Sequence, residues 1–221
     1  MTLSAQTTVA DIVTAHPECA SVLQSHRIDF CCKGELSLEE ACRRRGIDPD
    51  ALLVELERTI AGRARLAGDV RETPTAELVE TIVERHHGYL RQALPFLSAL
   101  SEKVARVHGD HEPRLVEIRE IVSALATELS AHLDQEEAEL FPRLLEPGAS
   151  LQPSELEAVR GEHLWIGEQL RRLRTLTDEY VAPEWACRSY RTLFAELEAM
   201  ETDVLRHVHL ENHVLLPRFS G

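Results

Sequence analysis

A chain of 221 residues with 43% hydrophobic and 28% charged residues has an ordinary globular composition, long enough for one sizeable core plus a small second unit. Its 24 Lys and Arg against 38 Asp and Glu leave a formal charge of −14, which disfavours nucleic acid and anionic membranes as partners, because both require basic patches. Apolar runs are only a few residues long and residues 1–10 are polar without a basic start, so neither a membrane span nor a signal peptide is expected and the reading is a cytosolic protein.

Helix formers dominate, and the first section reads as short helices. One is predicted near Val9 to Thr14 and a second near Pro17 to His26, followed by a loop with Asp29-Phe30-Cys31-Cys32-Lys33-Gly34. A third starts at Ser37, capped with Glu40 three residues on, and stops by Gly46. Asp48-Pro49 opens a fourth, rich in leucine. The stretch Gly62 to Thr75, with two glycines, a proline and mixed charges, has the composition of a linker. The organisation expected is a small helical domain over residues 1–61, a linker over 62–75 and a larger unit over 76–221.

In that larger unit four long stripes repeat with helical period. The first carries Leu78, Val83, His87, Leu90 and Leu94, with Pro95 expected to kink it. The second, after Pro113, aligns Ile118, Val122, Leu125, Leu129, His132 and Glu136. The third opens on the pair Ser154 and Glu157 as a capping box and shows Leu156, Val159, His163, Ile166 and Leu170. The fourth, after Pro183, aligns Leu193, Leu197, Met200, Val204, His207 and Glu211. The fold class is therefore all-α, with an antiparallel four-helix bundle behind a small helical domain.

Each stripe that should be buried carries a histidine, and a buried imidazole needs a partner or a metal. The segment HLDQEEAELFPRL from His132 aligns without gaps on HVHLENHVLLPRF from His207, sharing His, Glu, Leu and Pro-Arg at positions one, five, nine, eleven and twelve. His87 precedes His132 by 45 residues and His163 precedes His207 by 44, so two hairpins each supply one His and one His-x-x-x-Glu. Residues four apart share a helix face, so His132 with Glu136, and His207 with Glu211, each aim at one point. Paired about a pseudo-twofold axis, the hairpins would bring four imidazoles and two carboxylates to two metal ions, with both Glu bridging. On ligand softness iron, zinc, copper or manganese suits this set; bridging carboxylates and open positions favour a non-haem, oxo- or hydroxo-bridged pair of iron ions.

These motifs resemble the hemerythrin-like family, and within it the di-iron proteins that repair iron–sulfur clusters, over nearly the whole chain. The front module with Asp29-Phe30-Cys31-Cys32, the segment Val104 to Asp110 and the two Leu-Phe/Leu-Pro-Arg endings carry the likeness. Carried over position by position, it implies His87, His132, Glu136, His163, His207 and Glu211 as metal ligands; the offset to Leu94-Pro95 favours His87 over adjacent His86. Oxygen-carrying hemerythrins have a further histidine one turn beyond the third-helix ligand. Here that position is Gly167, which leaves room for small ligands, permits close helix packing, or does both. The implied function is repair of clusters damaged by nitric oxide or oxidants by supplying iron, with damaged iron–sulfur proteins as clients. The alternatives are a sensor or carrier of dioxygen or nitric oxide, and a nitric oxide reductase. The sequence leaves open whether the chain forms a homodimer.

Five cysteines at irregular spacing form no disulfide framework and fit a reducing compartment. For Cys31 and Cys32 two readings stay open: a thiol pair serving the di-iron site or a client, or inert thiols in a buried turn. Cys19, Cys42 and Cys187 are expected in the core or on the surface. His108 is expected to cap the end of the first long helix. His209 and His213, off the face of Glu211, are expected in solvent, and His16, His26 and His111 suggest no function.

Overall fold

The computed structural model describes residues 3–62 and 70–220. Helix α1 (Val9–Ala15) starts where the Thr8 side chain accepts the Asp11 amide, and α3 (Leu38–Arg45) where Ser37 does the same for Glu40. These two starts are stitched side by side, Val9 N–H donating to Leu36 O and Leu38 N–H to Thr7 O. Between them a 3-10 turn at Pro17–Cys19 leads into α2 (Ala20–Ser25). Gly46 ends α3 at φ 68°, a left-handed conformation costly for other residues, and Asp48 caps α4 (Pro49–Ala61). The centre of the expected linker, 63–69, lies outside the described residues; its far end is a 3-10 turn, Val70–Glu72.

The first bundle helix comprises α5 (Thr75–Thr81), a π-helical turn at Ile82–His87 and α6 (Gly88–His108). The second comprises α7 (Arg114–Gln135), a π-turn at Glu136–Leu140 and α8 (Phe141–Leu144). The third is α9 (Pro153–Leu176). The fourth is α10 (Arg188–Leu210), a π-turn at Glu211–Leu215 and a 3-10 turn at Leu216–Phe219. α6 packs on α7 and α10, and α9 packs on the same two, closing a ring of four antiparallel helices.

One detail departs from expectation. The capping box of α9 is Gln152 with Glu155, not Ser154 with Glu157. Pro153 is the reason: its fixed φ suits the first helical position and holds Gln152 extended (ψ 151°), so the cap falls ahead of the proline. Pro95 sits inside α6, which continues on both sides of it, and the irregular turns lie elsewhere. Two of them end two residues before Pro142 and Pro217. A proline offers no N–H to the carbonyl four residues back and its ring crowds that carbonyl, so a widened turn relieves both problems. No proline follows the first π-turn within a turn.

The apolar stripes form two clusters. The larger joins Leu90, Leu97, Leu125, Leu129, Leu170 and Leu197 of the bundle to Val9, Leu23 and Leu38 of the front helices, so the two parts share one core. The smaller, with Leu78, Ile82, Phe141, Leu156 and Leu215, fills the opposite end of the bundle. A layer of histidines and glutamates separates them. Among the described residues no helix is long and apolar enough to cross a membrane.

Candidate metal centre

The six side chains singled out by the repeat converge in that layer, all of them buried. His87 Nε2 lies 3.2 Å from His207 Nε2 and 3.4 Å from Glu136 Oε2, and His207 Nε2 lies 2.8 Å from Glu211 Oε1. Across the layer His163 Nε2 lies 3.3 Å from His132 Nε2 and 3.1 Å from Glu211 Oε2, while His132 Nε2 lies 3.3 Å from Glu136 Oε1. Each carboxylate therefore sends one oxygen to each imidazole pair. Two groups result, His87-Glu136-His207-Glu211 and His132-Glu136-His163-Glu211, each with its ligand atoms within 4.8 Å of one another.

Three carboxylate oxygens here (Glu136 Oε1 and Oε2, Glu211 Oε2) are buried with no hydrogen-bond partner among the described residues. An unsatisfied buried polar atom costs roughly 1–3 kcal/mol, more if charged, so the cluster is built at a loss unless a cation compensates. The donor set fits two divalent or trivalent ions. Burial and the facing Glu211 push the Glu136 carboxyl well above the usual carboxylate range. Burial works on Glu211 in the same sense, but His207 and His163 outweigh it and hold its carboxyl well below that range. Two acids this close do not ionise alike, and neighbouring imidazoles decide which one gives way.

The outward nitrogens follow the same repeat. His87 Nδ1 is 2.8 Å from Glu137, and His163 Nδ1 is 2.9 Å from Asn212 Oδ1; Glu137 and Asn212 occupy the sixth position of the two aligned segments. His132 Nδ1 is 2.7 Å from Glu162, the residue before His163. The matching residue before His87 is His86, which stacks on His207 with ring centres 5.7 Å apart instead of bonding it, and His207 Nδ1 is left without a partner. His86 turns its own Nδ1 to Asp203 at 2.9 Å. Such outer partners fix the tautomer of a metal-binding imidazole. Glu137, Asn212 and Glu162 escaped the sequence reading, although extending the repeat by one position, and comparing the residues before His87 and His163, would have marked them.

The cysteine loop docks against this layer. Asp29 Oδ1 accepts the amides of Cys31 (3.2 Å) and Cys32 (2.8 Å), which holds the turn. Cys31 is buried and Cys32 half-buried, with sulfurs 3.5 Å apart and Cys32 Sγ 3.5 Å from the His163 carbonyl. A Cβ on Gly167 would meet Cys32 Sγ at 3.5 Å, so the place of the additional hemerythrin imidazole is lined by this thiol. His209 and His213 are not in solvent. His209 is buried between Phe30 O and the Thr14 hydroxyl, and half-buried His213 reaches Cys31 O at 2.8 Å. His209 in α10 and His213 in the π-turn after it lie where the front module covers the fourth helix, which the single-helix periodicity could not show. Burial, with His213 nearby, drops the His209 imidazole to about 4.

His108 reaches across to Cys187 Sγ at 3.2 Å rather than back to its own helix end. Cys19 and Cys42 are buried and Cys187 is exposed. Burial pushes the Cys19 thiol up to about 12, and the hydrogen bond shared with Cys32, together with burial, raises Cys31. Iodoacetamide at neutral pH should therefore modify Cys187 first and Cys19 at least ~100-fold more slowly, as peptide masses over time would show; equal rates would contradict the packing.

Residues 78–219 match the model of the hemerythrin HHE cation binding domain, and residues 5–59 match that of the ScdA_N domain, a domain of unknown function. The iron-sulfur cluster repair proteins YtfE of Yersinia pseudotuberculosis serotype O:1b (strain IP 31758) and Yersinia pestis (strain Pestoides F) are each 32% identical to the chain over 207 residues, 94% of this chain and 93% of theirs. The ring of four helices, its cation-binding layer and these matches agree, and the chain belongs to the hemerythrin HHE family.

Proposed function

We propose that this chain is a di-iron protein that repairs iron–sulfur clusters damaged by nitrosative or oxidative stress, acting by supplying iron to damaged iron–sulfur proteins. His87 and His207 would hold one ion, His132 and His163 the other, and Glu136 and Glu211 would span both. The observation that carries this reading is the orphaned carboxylate oxygens, each aimed between imidazoles of opposite hairpins. When bound, the pair supplies ferrous or ferric iron in a protected store. The chain's own residues position it: Glu137, Glu162 and Asn212 hold the imidazoles, and the apolar clusters flank the layer on either side. Two carboxylates offset little of the charge of two ferric ions, so the site holds iron less firmly than an acid-rich one would. The names of the Yersinia relatives, iron-sulfur cluster repair proteins, support the repair part of this reading. The front helices over 1–61, with Cys31 and Cys32 set beside His163, would form the part that meets the centre or the client.

The test is iron release. Reduction of the loaded protein with ascorbate should pass most of its iron to a ferrous chelator, and the loaded protein should restore activity to an enzyme with a damaged cluster. Retention of both irons under reduction would count against donation. A stable oxygenated spectrum would point instead to a carrier.

A further inference from the structure

Asn212 is buried and uses both ends of its amide. Oδ1 faces His163 Nδ1 at 2.9 Å, and Nδ2 donates to the Cys31 carbonyl at 3.0 Å. Its repeat counterpart, Glu137, is acceptor only, and meets His87 Nδ1 and Arg91. The amide is the change that lets one side chain accept from an imidazole and donate to a carbonyl at once. The half of the repeat that carries it is the half on which the cysteine loop sits.

We propose that Asn212 couples occupancy of the centre to the hold on the cysteine loop, so that Cys32 is better shielded when His163 binds metal. This rests on the reading of the centre given above. A cation on His163 Nε2 leaves the ring proton on Nδ1, where it is donated to Asn212 Oδ1, and that orients Nδ2 toward Cys31 O. Without a cation the neutral ring can carry its proton on Nε2, which lies 3.1 Å from Glu211 Oε2. Bare Nδ1 then favours the flipped amide, which sets Oδ1 against the Cys31 carbonyl, acceptor against acceptor. Cys31 O also accepts from His213 Nε2 at 2.8 Å, a bond that involves neither His163 nor the Asn212 amide, so it holds the loop in both states. Asn212 is thus a positioning residue for both the imidazole and the loop, and linkage makes the effect reciprocal: the docked loop favours the metal-binding tautomer.

The test is the rate at which N-ethylmaleimide alkylates Cys32 in the full chain, with and without ferrous iron loaded anaerobically, read by peptide mass with Cys187 as internal reference. Loading should slow Cys32 by on the order of tenfold, the worth of about one hydrogen bond. Asn212→Asp keeps an acceptor for His163 but loses the donor to Cys31, so its two rates should be equal and fast. His213→Ala should speed both rates and preserve their ratio. Equal rates in the native chain, or a surviving ratio in Asn212→Asp, would overturn the coupling while the iron content, measured in parallel, leaves the metal reading standing. Failure of the native chain to take up iron would overturn both. The native and His213→Ala comparisons decide the matter even if Asn212→Asp does not fold.

Discussion

Purified protein should carry roughly two iron ions per chain, and the double variant His132→Ala/His207→Ala should lose nearly all of them. The two histidines belong to opposite imidazole pairs, so each candidate position loses one of its two nitrogens while both carboxylates remain. Helical content by circular dichroism should persist, because the apolar clusters on either side of the layer contain neither residue. His86→Ala is the sharp control. His86 is buried like its neighbour His87, yet it bonds Asp203 and stands outside both ligand groups, so its loss should leave most of the iron in place. Undiminished iron in the double variant, or equal loss in His86→Ala, would remove the six-residue centre.

The second large effect is expected at Gly34. A Cβ there would lie 2.5 Å from Phe30 O, 2.6 Å from His213 Nε2 and 2.7 Å from the Ala10 Cβ. The first neighbour is backbone and the last a short side chain in the front core, so little can yield. Gly34→Ala should cost about 2–3 kcal/mol in urea unfolding and loosen the cysteine loop from α10, exposing Cys32 to alkylation. Gly46→Ala separates crowding from backbone strain. Gly46 has φ 68° but nothing within 4 Å of its Cβ position, so only the left-handed conformation is penalised, by about 1 kcal/mol, with Cys32 unaffected. A Gly34→Ala protein as stable as the native one would mean that the loop is not packed as described.

Much of this was legible in the sequence for one reason: the bundle is a repeat, and a repeat doubles every weak signal. A single His-x-x-x-Glu says little, but two in register, each preceded by a stripe histidine at matched distance, forecast the convergence of His87, His132, Glu136, His163, His207 and Glu211. Cap residues placed α3 and α4 well, since Ser37 and Asp48 act on amides two or three residues away. Contacts between distant segments stayed hidden. Nothing local to His209 or His213 reveals that Phe30 and Cys31 cover them, and nothing local to Gly167 reveals the Cys32 thiol against it. The π-turns were invisible for another reason, because helical periodicity averages over several turns and does not register one widened turn.

Those three widened turns have a consequence for how the length of the chain can vary. A π-turn holds one residue more than an α-turn, so each is in effect an insertion already absorbed by the helix. Elsewhere in a long helix, removing one residue swings every later side chain by about 100° and tears the stripe from its core. Between Glu136 and Pro142, or between Glu211 and Pro217, the same removal would tighten the turn to ordinary α geometry and return Phe141 or Leu216 to its old bearing. One-residue length differences among kin should gather at these places, beside the metal-facing glutamates, and be scarce along the rest of the helices.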